Sequence, residues 1–590
     1  MAYISTLWGS LCLLFLCSIT LTLAQTAPNC PLGPGSIYPL PGNPLHISSF
    51  ISSALSNLNQ TLTSTLQDCT STLTTSNVSF HFSIFSSSST FFEYNHIAPG
   101  QEHSLSNGDI DRNTVFRIGS VSKLLTVYTL LATTGINHLN DPVTKWIPEL
   151  AAKKFEDEIS TAKWADVTIG ALAGHMAGVK ELSMEDLATL YDAETAAMYN
   201  LPPLPMSDVP TCGTAGELPA CSREEFFAAF THLRPVTSPF NMPIYSNVAF
   251  QILTYAIEAM TNQSFADVFQ SALVGPLGLN GTYLTMPPGD GTSSANGLMY
   301  STGADLAALG QSILSSTLLP PHVTRQWLKP ITHTPDLRLS VGMPWEIFRL
   351  EVPVPFRSSG SSEEQTTRII DLYLKNGGTE TYNTQFLLSP DHGFGFALLT
   401  AGPPPTRGPD MRFAAMQEVN EMITSVLLPA FEAAMQDLAI AKFAGNYTTS
   451  RENASSTNLE IVAGDGGLGL SVKSWMDKGG TRDLLKTYFA ALQMAESNAL
   501  EEDPSLRLYP VGLQNRGEVA FRGVFEYQGS AGAFSDSNTT AFGSRCGAFA
   551  AVDEPQYGNV GLDDFVFGVD SAGMATSIAA RGMRITLRRL

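Results

Sequence analysis

The sequence predicts an α+β body followed by a separate all-β domain. Three observations carry this expectation. One helical segment and two β-type runs open the folded part. A long helical middle then leads into three consecutive β-runs and a long helix. From residue 443 onward, short β-runs alternate with Gly, Asn, Asp and Ser. At 590 residues the chain is also too long for one ordinary core.

Taken in order, residues 1–24 read as a secretory signal peptide: an apolar run from Leu7 to Ala24 closed by the small-x-small signal Thr22-Leu23-Ala24. Residues 25–45 are rich in Pro and Gly and should be extended. A helical pattern runs to about Thr75, followed by β-runs at Val78–Phe85 and Thr90–Tyr94. Val115–Leu319 is mostly helical in pattern, and Leu201–Cys221 reads as an inserted loop. RIIDLYLK (368–375), ETYNTQFLLS (380–389) and FGFALLTAG (394–402) form an antiparallel meander. Its second turn is Pro390-Asp391-His392-Gly393. AGPPPTRGPD is a loop by composition, and a helix is expected from Met411 to Ala441. The expected boundaries are therefore an α+β body at 25–440 and a β-rich domain, barrel or sandwich, at 441–590. After the signal no segment reads as long and apolar enough to span a membrane.

A net charge of -21 and a pI near 4.8 argue against nucleic acid or an anionic membrane as partners. The histidines, scattered from His46 to His392, form no H-x-H-x-D-type cluster, so no metal and no cofactor are expected. Sequons at Asn59, Asn77, Asn262, Asn280, Asn446, Asn453 and Asn538 suit a glycosylated secreted chain, expected as a monomer. Cys212 and Cys221 bracket a Gly/Pro-containing loop and could close it as a disulfide. Cys30, Cys69 and Cys546 stay unassigned.

The stretch Phe116–Gly135, FRIGSVSKLLTVYTLLATTG, poses a chemical question. It is apolar nearly all round, yet Lys123 falls in its first helical turn, where an unpartnered ammonium costs several kcal/mol. Ser120 lies three residues earlier on the same face, so hydroxyl and amine can meet. Backbone N–H groups and the dipole at the helix start would favour a developing oxyanion there. Alone, S-x-x-K is equally a capping Ser with a snorkelling Lys. Tyr245-Ser246-Asn247 precedes an amphipathic helix, so Asn247 could be its N-cap and Tyr245 a core residue. Lys375-Asn376-Gly377-Gly378 ends a β-run, and Asn-Gly there could be a tight hairpin turn.

In this order, Ser-x-x-Lys, Tyr-x-Asn and Lys-x-Gly resemble the signature set of serine β-lactamases and penicillin-binding proteins, in the variant with Tyr in the middle motif. The flanks FRIGSVSK, LNDPVTKWIPEL, VTIGALAGHMAGV, NQSFADVFQSALVGPLGL and NGLMYSTGADLAALGQSIL are similar to the class C β-lactamase and esterase superfamily, including secreted fungal β-lactamase-related proteins. The resemblance covers about residues 30–440 and is weaker over the tail.

It implies an α/β sandwich: an antiparallel sheet flanked by helices, with a helical subdomain. Ser120 would be acylated, with the backbone N–H groups of Ser120 and Gly378 as the oxyanion hole. Lys123 and Tyr245 are both candidates to take the serine proton. Bringing a tyrosine from a pKa of about 10 to about 7 needs about 4 kcal/mol of phenolate stabilisation, which Lys123 and Lys375 could supply. Asn247 would orient Lys123 or hydrogen-bond a substrate amide, and Asn376 and Gly377 would line the substrate. Asn376 stands where the family usually has Thr or Ser, so penicillin hydrolysis is expected to be poor. The implied function is a secreted serine hydrolase acting on a small ester or amide. The alternatives are acyl transfer in metabolite tailoring and a catalytically silent binding protein.

Overall fold

The computed structural model describes residues 31–590 except 34, 41–47, 105–107, 181–185, 213–217, 220, 231–233, 286–298, 356–365, 380, 404–409, 452–453, 478, 493–504, 527–551 and 554–555. The signal segment, Cys30, Cys546, Asn453 and Asn538 lie outside the described residues.

The body is built on eight strands in the order β2-β1-β10-β9-β8-β7-β6-β5. They are β1 (Ser79–Ser86), β2 (Thr90–His96), β5 (Thr332–His333), β6 (Leu339–Val341), β7 (Glu346–Pro353), β8 (Thr367–Gly378), β9 (Tyr382–Ser389) and β10 (Phe394–Ala401). A two-stranded pair, β3 (Phe116–Arg117) and β4 (Tyr300–Ser301), stands apart. All neighbours in the large sheet are antiparallel, as the meander predicts. The central strands are apolar on both faces because helices cover both. Phe394, Phe396 and Leu398 of β10 face the helices Ser49–Gln67 and Met411–Phe443. Ala397 and Leu399 face the opposite core, which holds the helices Ser122–Thr134, Asn247–Thr261 and Gly303–Ser315. Each of the strands read from sequence lies within a few residues of its predicted place.

The C-terminal part is a closed barrel. Its strands are β11 (Gly445–Arg451), β12 (Ala454–Val462), β13 (Leu470–Asp477), β14 (Arg482–Asp483), β15 (Ser505–Gln514), β16 (Glu518–Glu526), β17 (Asp564–Val569), β18 (Ala575–Ala580) and β19 (Ile585–Arg589). The run β12-β11-β19-β18-β17-β16-β15-β13 returns on itself through the β12–β13 pairing, and β14 is appended to β13. Trp475, Phe521, Phe565, Phe567 and Leu587 belong to its core, as expected for a small barrel filled by its own side chains.

One helix joins the two cores. Met411–Phe443 gives Met416, Val419, Ile423 and Leu427 to the body and Met435, Ala439 and Phe443 to the barrel core. This corrects the sequence expectation about membrane-length segments. By length and hydropathy the helix could cross a bilayer, but its buried apolar residues are shared between two protein cores. Near it, Arg368 of β8 bonds Asp391 at 2.8 Å and Glu432 at 2.7 Å, and His392 bonds Glu432 at 2.8 Å, all four residues being buried. Burial alone would raise the Glu432 carboxyl, but the His392 hydrogen bond and the Arg368 charge hold it below its ordinary value.

Cys212 and Cys221 form a disulfide, as the loop composition suggested, and Cys69 is an exposed free thiol. Asn59, Asn262, Asn280 and Asn446 are exposed and Asn77 is half-buried.

Candidate active site

Ser120 sits in a single tight turn, Gly119–Val121, that runs directly into the helix Ser122–Thr134. Ser122 holds this turn: its hydroxyl donates to Gly119 O at 2.6 Å and accepts from Met299 N at 3.0 Å. Every residue from Ser122 to Leu131 is buried, Lys123 included. Its ammonium is satisfied. It donates to Ser120 Oγ at 2.9 Å and to Asn247 Oδ1, and it lies 4.8 Å from the centre of the Tyr245 ring. Two hydrogen bonds and a cation–π contact thus offset the desolvation that made this lysine anomalous.

Tyr245 donates its phenolic proton to Ser120 Oγ at 2.5 Å. The helix behind it, Asn247–Thr261, is capped by Ser246, whose hydroxyl accepts from Ala249 N at 3.0 Å. Asn247 is therefore the first helical residue and not the cap, and its amide reaches Lys123. Tyr245 is not a core residue either, being 45% exposed. Its ring rests on His175, with centroids 4.6 Å apart.

His175, within VTIGALAGHMAGV, is a site residue to which the sequence alone assigns no role. Its Nδ1 accepts from Ser246 N at 3.3 Å, and its Nε2 is buried without a hydrogen-bond partner. Burial, then the charges of Lys123 and Lys375, hold the imidazole well below its ordinary 6.5. The unfolded chain binds a proton near that pH and the folded one does not, so stability falls as pH drops below it. Equilibrium unfolding between about pH 7 and about pH 5 should show this loss, at most about 1.4 kcal/mol per pH unit from one group. His81 and His96 are lowered by burial in the same direction. His175→Asn, which tolerates the positive φ of 59° at this position, should remove one share of the slope and leave theirs. An unchanged slope would refute the assignment.

The third motif lies within β8 and not in a turn. Asn376 pairs with Gln385, Gly377 with Thr384 and Gly378 with Asn383. The chain reverses only at Thr379–Tyr382, where Thr379 N donates to Tyr382 O at 2.8 Å. The Asn-Gly hairpin expectation is thus corrected. The glycines serve close approach instead: a Cβ on Gly377 would stand 2.1 Å from Ile118 O and 2.9 Å from Ser120 N. Gly377→Ala should therefore destabilise the protein by about 1–3 kcal/mol in urea unfolding. Gly378→Ala, whose Cβ would meet only Asn383 Oδ1 at 3.0 Å, should cost clearly less.

Lys375, 2% exposed, bonds Glu346 and the Asn376 carbonyl, the latter at 3.0 Å, and lies 5.4 Å from the centre of the Tyr245 ring. Asn376 donates to Glu346 Oε2 at 2.7 Å and accepts from Gln385 at 2.9 Å. Glu346 and Gln385 were not foreseen. The sequence shows Glu346 only as one of two acids in WEIFRLEV, at the start of an alternating strand.

Thus Ser120, Lys123, Tyr245, Asn247 and Lys375, drawn from three distant segments, converge on one place. An antiparallel sheet covered by helices and followed by an all-β barrel is a β-lactamase/transpeptidase-like fold with a C-terminal barrel domain. The family model described as Beta-lactamase matches residues 94–421, more than half of the chain, and the chain belongs to that family. A second, described as Beta-lactamase-like-like, C-terminal domain, matches residues 435–590. The "Beta-lactamase-like protein" of Arthroderma benhamiae is 28% identical over 530 residues, covering 84% of this chain and 83% of its own. The "Probable hydrolase M10" of Phoma sp. is 25% identical, covering 67% and 66%. Among solved structures, the D-alanine carboxypeptidase AmpC from Burkholderia cenocepacia aligns over 62% of this chain and 99% of its own. That alignment has 17% identity and a TM-score of 0.41.

Proposed function

We propose that the protein is a secreted serine hydrolase that forms an acyl-enzyme on Ser120 from a small ester or amide. The observation that carries this is the meeting of Lys123 Nζ and Tyr245 OH on the one oxygen, Ser120 Oγ, at 2.9 and 2.5 Å. In the reactive form Tyr245 is the phenolate beside the Lys123 ammonium, and Ser120 Oγ attacks the carbonyl carbon as it gives up its own proton. Tyr245 takes it, with Lys123 as the cation that favours the phenolate and Asn247 holding Lys123 in place. The charge of Lys375 is engaged by Glu346, so that task falls to Lys123. The carbonyl oxygen, now negative, is received by the backbone N–H groups of Ser120 and Gly378. Collapse breaks the bond to the leaving group, which departs with the proton from Tyr245. Water then repeats the sequence and frees the acid.

Export is supported by the signal-like first 24 residues, the Cys212–Cys221 disulfide and the exposed sequons. The hydrolase names among relatives point the same way for activity. The connected polar set favours an active enzyme over a silent binding protein. A fluorophosphonate should label the folded protein once, on Ser120; a folded protein that stays unlabelled would favour the binding-protein reading.

A further inference from the structure

Resting on the Ser120 reading, we infer that Glu346 sets the charge preference of this site: it accepts neutral or cationic esters and amides and rejects those with a carboxylate beside the scissile bond. The two residues of the third motif that could greet an incoming anion are already occupied by an internal one. Glu346 holds the Lys375 ammonium through one carboxylate oxygen and the Asn376 amide through the other. Asn376 is also fixed from behind by Gln385, itself fully buried. The arrangement is built into the sheet, since Glu346 of β7 lies across from Leu374 of β8, one residue before Lys375.

Glu346 also remains 30% exposed while Lys375 is 2% exposed. A ligand approaching this corner meets the carboxylate and not the ammonium. A substrate carboxylate would have to displace Glu346 from both partners or sit beside a like charge. The whole-chain charge of -21 acts in the same direction at longer range. The loop leading into Tyr245 exposes Phe240 and Met242 by about half, which suits an apolar acyl or alcohol portion.

The test uses the full-length protein and two alkyl fluorophosphonates of equal chain length, one ending in a methyl ester and the other in the free carboxylate. Labelling rates at Ser120 are followed by mass spectrometry. The neutral probe should react about a hundredfold faster than the anionic one, a ratio of the size a close like charge produces at a partly screened site. In Glu346→Gln, where Lys375 loses its counter-charge, the ratio should fall to about tenfold or less, and Glu346→Asp should restore much of it. Equal labelling of wild type by both probes overturns the charge preference while leaving the nucleophile intact. A ratio unchanged in Glu346→Gln overturns the role of Glu346. Labelling by neither probe refutes the Ser120 reading and this inference with it.

Discussion

Ser120→Ala should lower kcat/KM on a neutral activated ester by about 10⁶-fold, the size of loss seen when the nucleophile of a cooperating catalytic set is removed. The substitution deletes one half-buried oxygen and no carbon. Lys123 keeps Asn247 as a partner, so the unfolding free energy should change by no more than about 1 kcal/mol. That separation of activity from stability is the informative part. A general loss of structure would lower both, whereas loss of the attacking atom lowers one. Residual rate above water would come from binding and from backbone N–H groups alone.

Lys123→Met is the second large effect. Methionine is unbranched and fits the slot of a side chain whose residue is only 4% exposed, and it removes a charge that the interior tolerates only when fully partnered. Melting should therefore stay within a few degrees of wild type. Activity should fall by about 10³–10⁴-fold, because the proton-accepting pair loses its cation. Lys123→Arg should not rescue, since a planar guanidinium cannot place one donor on Ser120 Oγ and another on Asn247 Oδ1 in the same space. The double variant Ser120→Ala/Lys123→Met should be no slower than Ser120→Ala alone. Groups acting on one oxygen lose their separate effects once that oxygen is gone.

How much of this was readable beforehand follows from which interactions are local. Ser120 and Lys123 are three residues apart, so helical geometry brings them together in any fold, and the motif could be read directly. The long helix was placed to within two residues of its true end at Phe443 because its apolar pattern is continuous. At Asn376-Gly377 the structure has a paired strand in place of the expected turn for a physical reason. Asn-Gly is a strong hairpin signal in isolation, but here the glycine is needed because the distant turn Ile118–Ser120 presses against β8. Nothing near residue 377 in the sequence announces that neighbour. The expected cap of the helix after Tyr245, Asn247, gives way to Ser246, whose hydroxyl accepts from Ala249 N, while the Asn247 amide meets the distant Lys123. Glu346 and His175 are not legible as site residues because strand register and a tilted ring contact, not spacing, bring them to Lys375 and Tyr245. Barrel closure likewise depends on the pairing of β12 with β13, and a strand pattern cannot by itself distinguish a closed barrel from a sandwich.

The most direct measurement is the intact mass of the protein quenched during turnover of a neutral activated ester. The expected result is the addition of a single acyl group, located by digestion on the peptide containing Ser120 and missing from Ser120→Ala. Turnover that leaves the protein unmodified and proceeds equally fast in Ser120→Ala, or an adduct on any other residue, would contradict it.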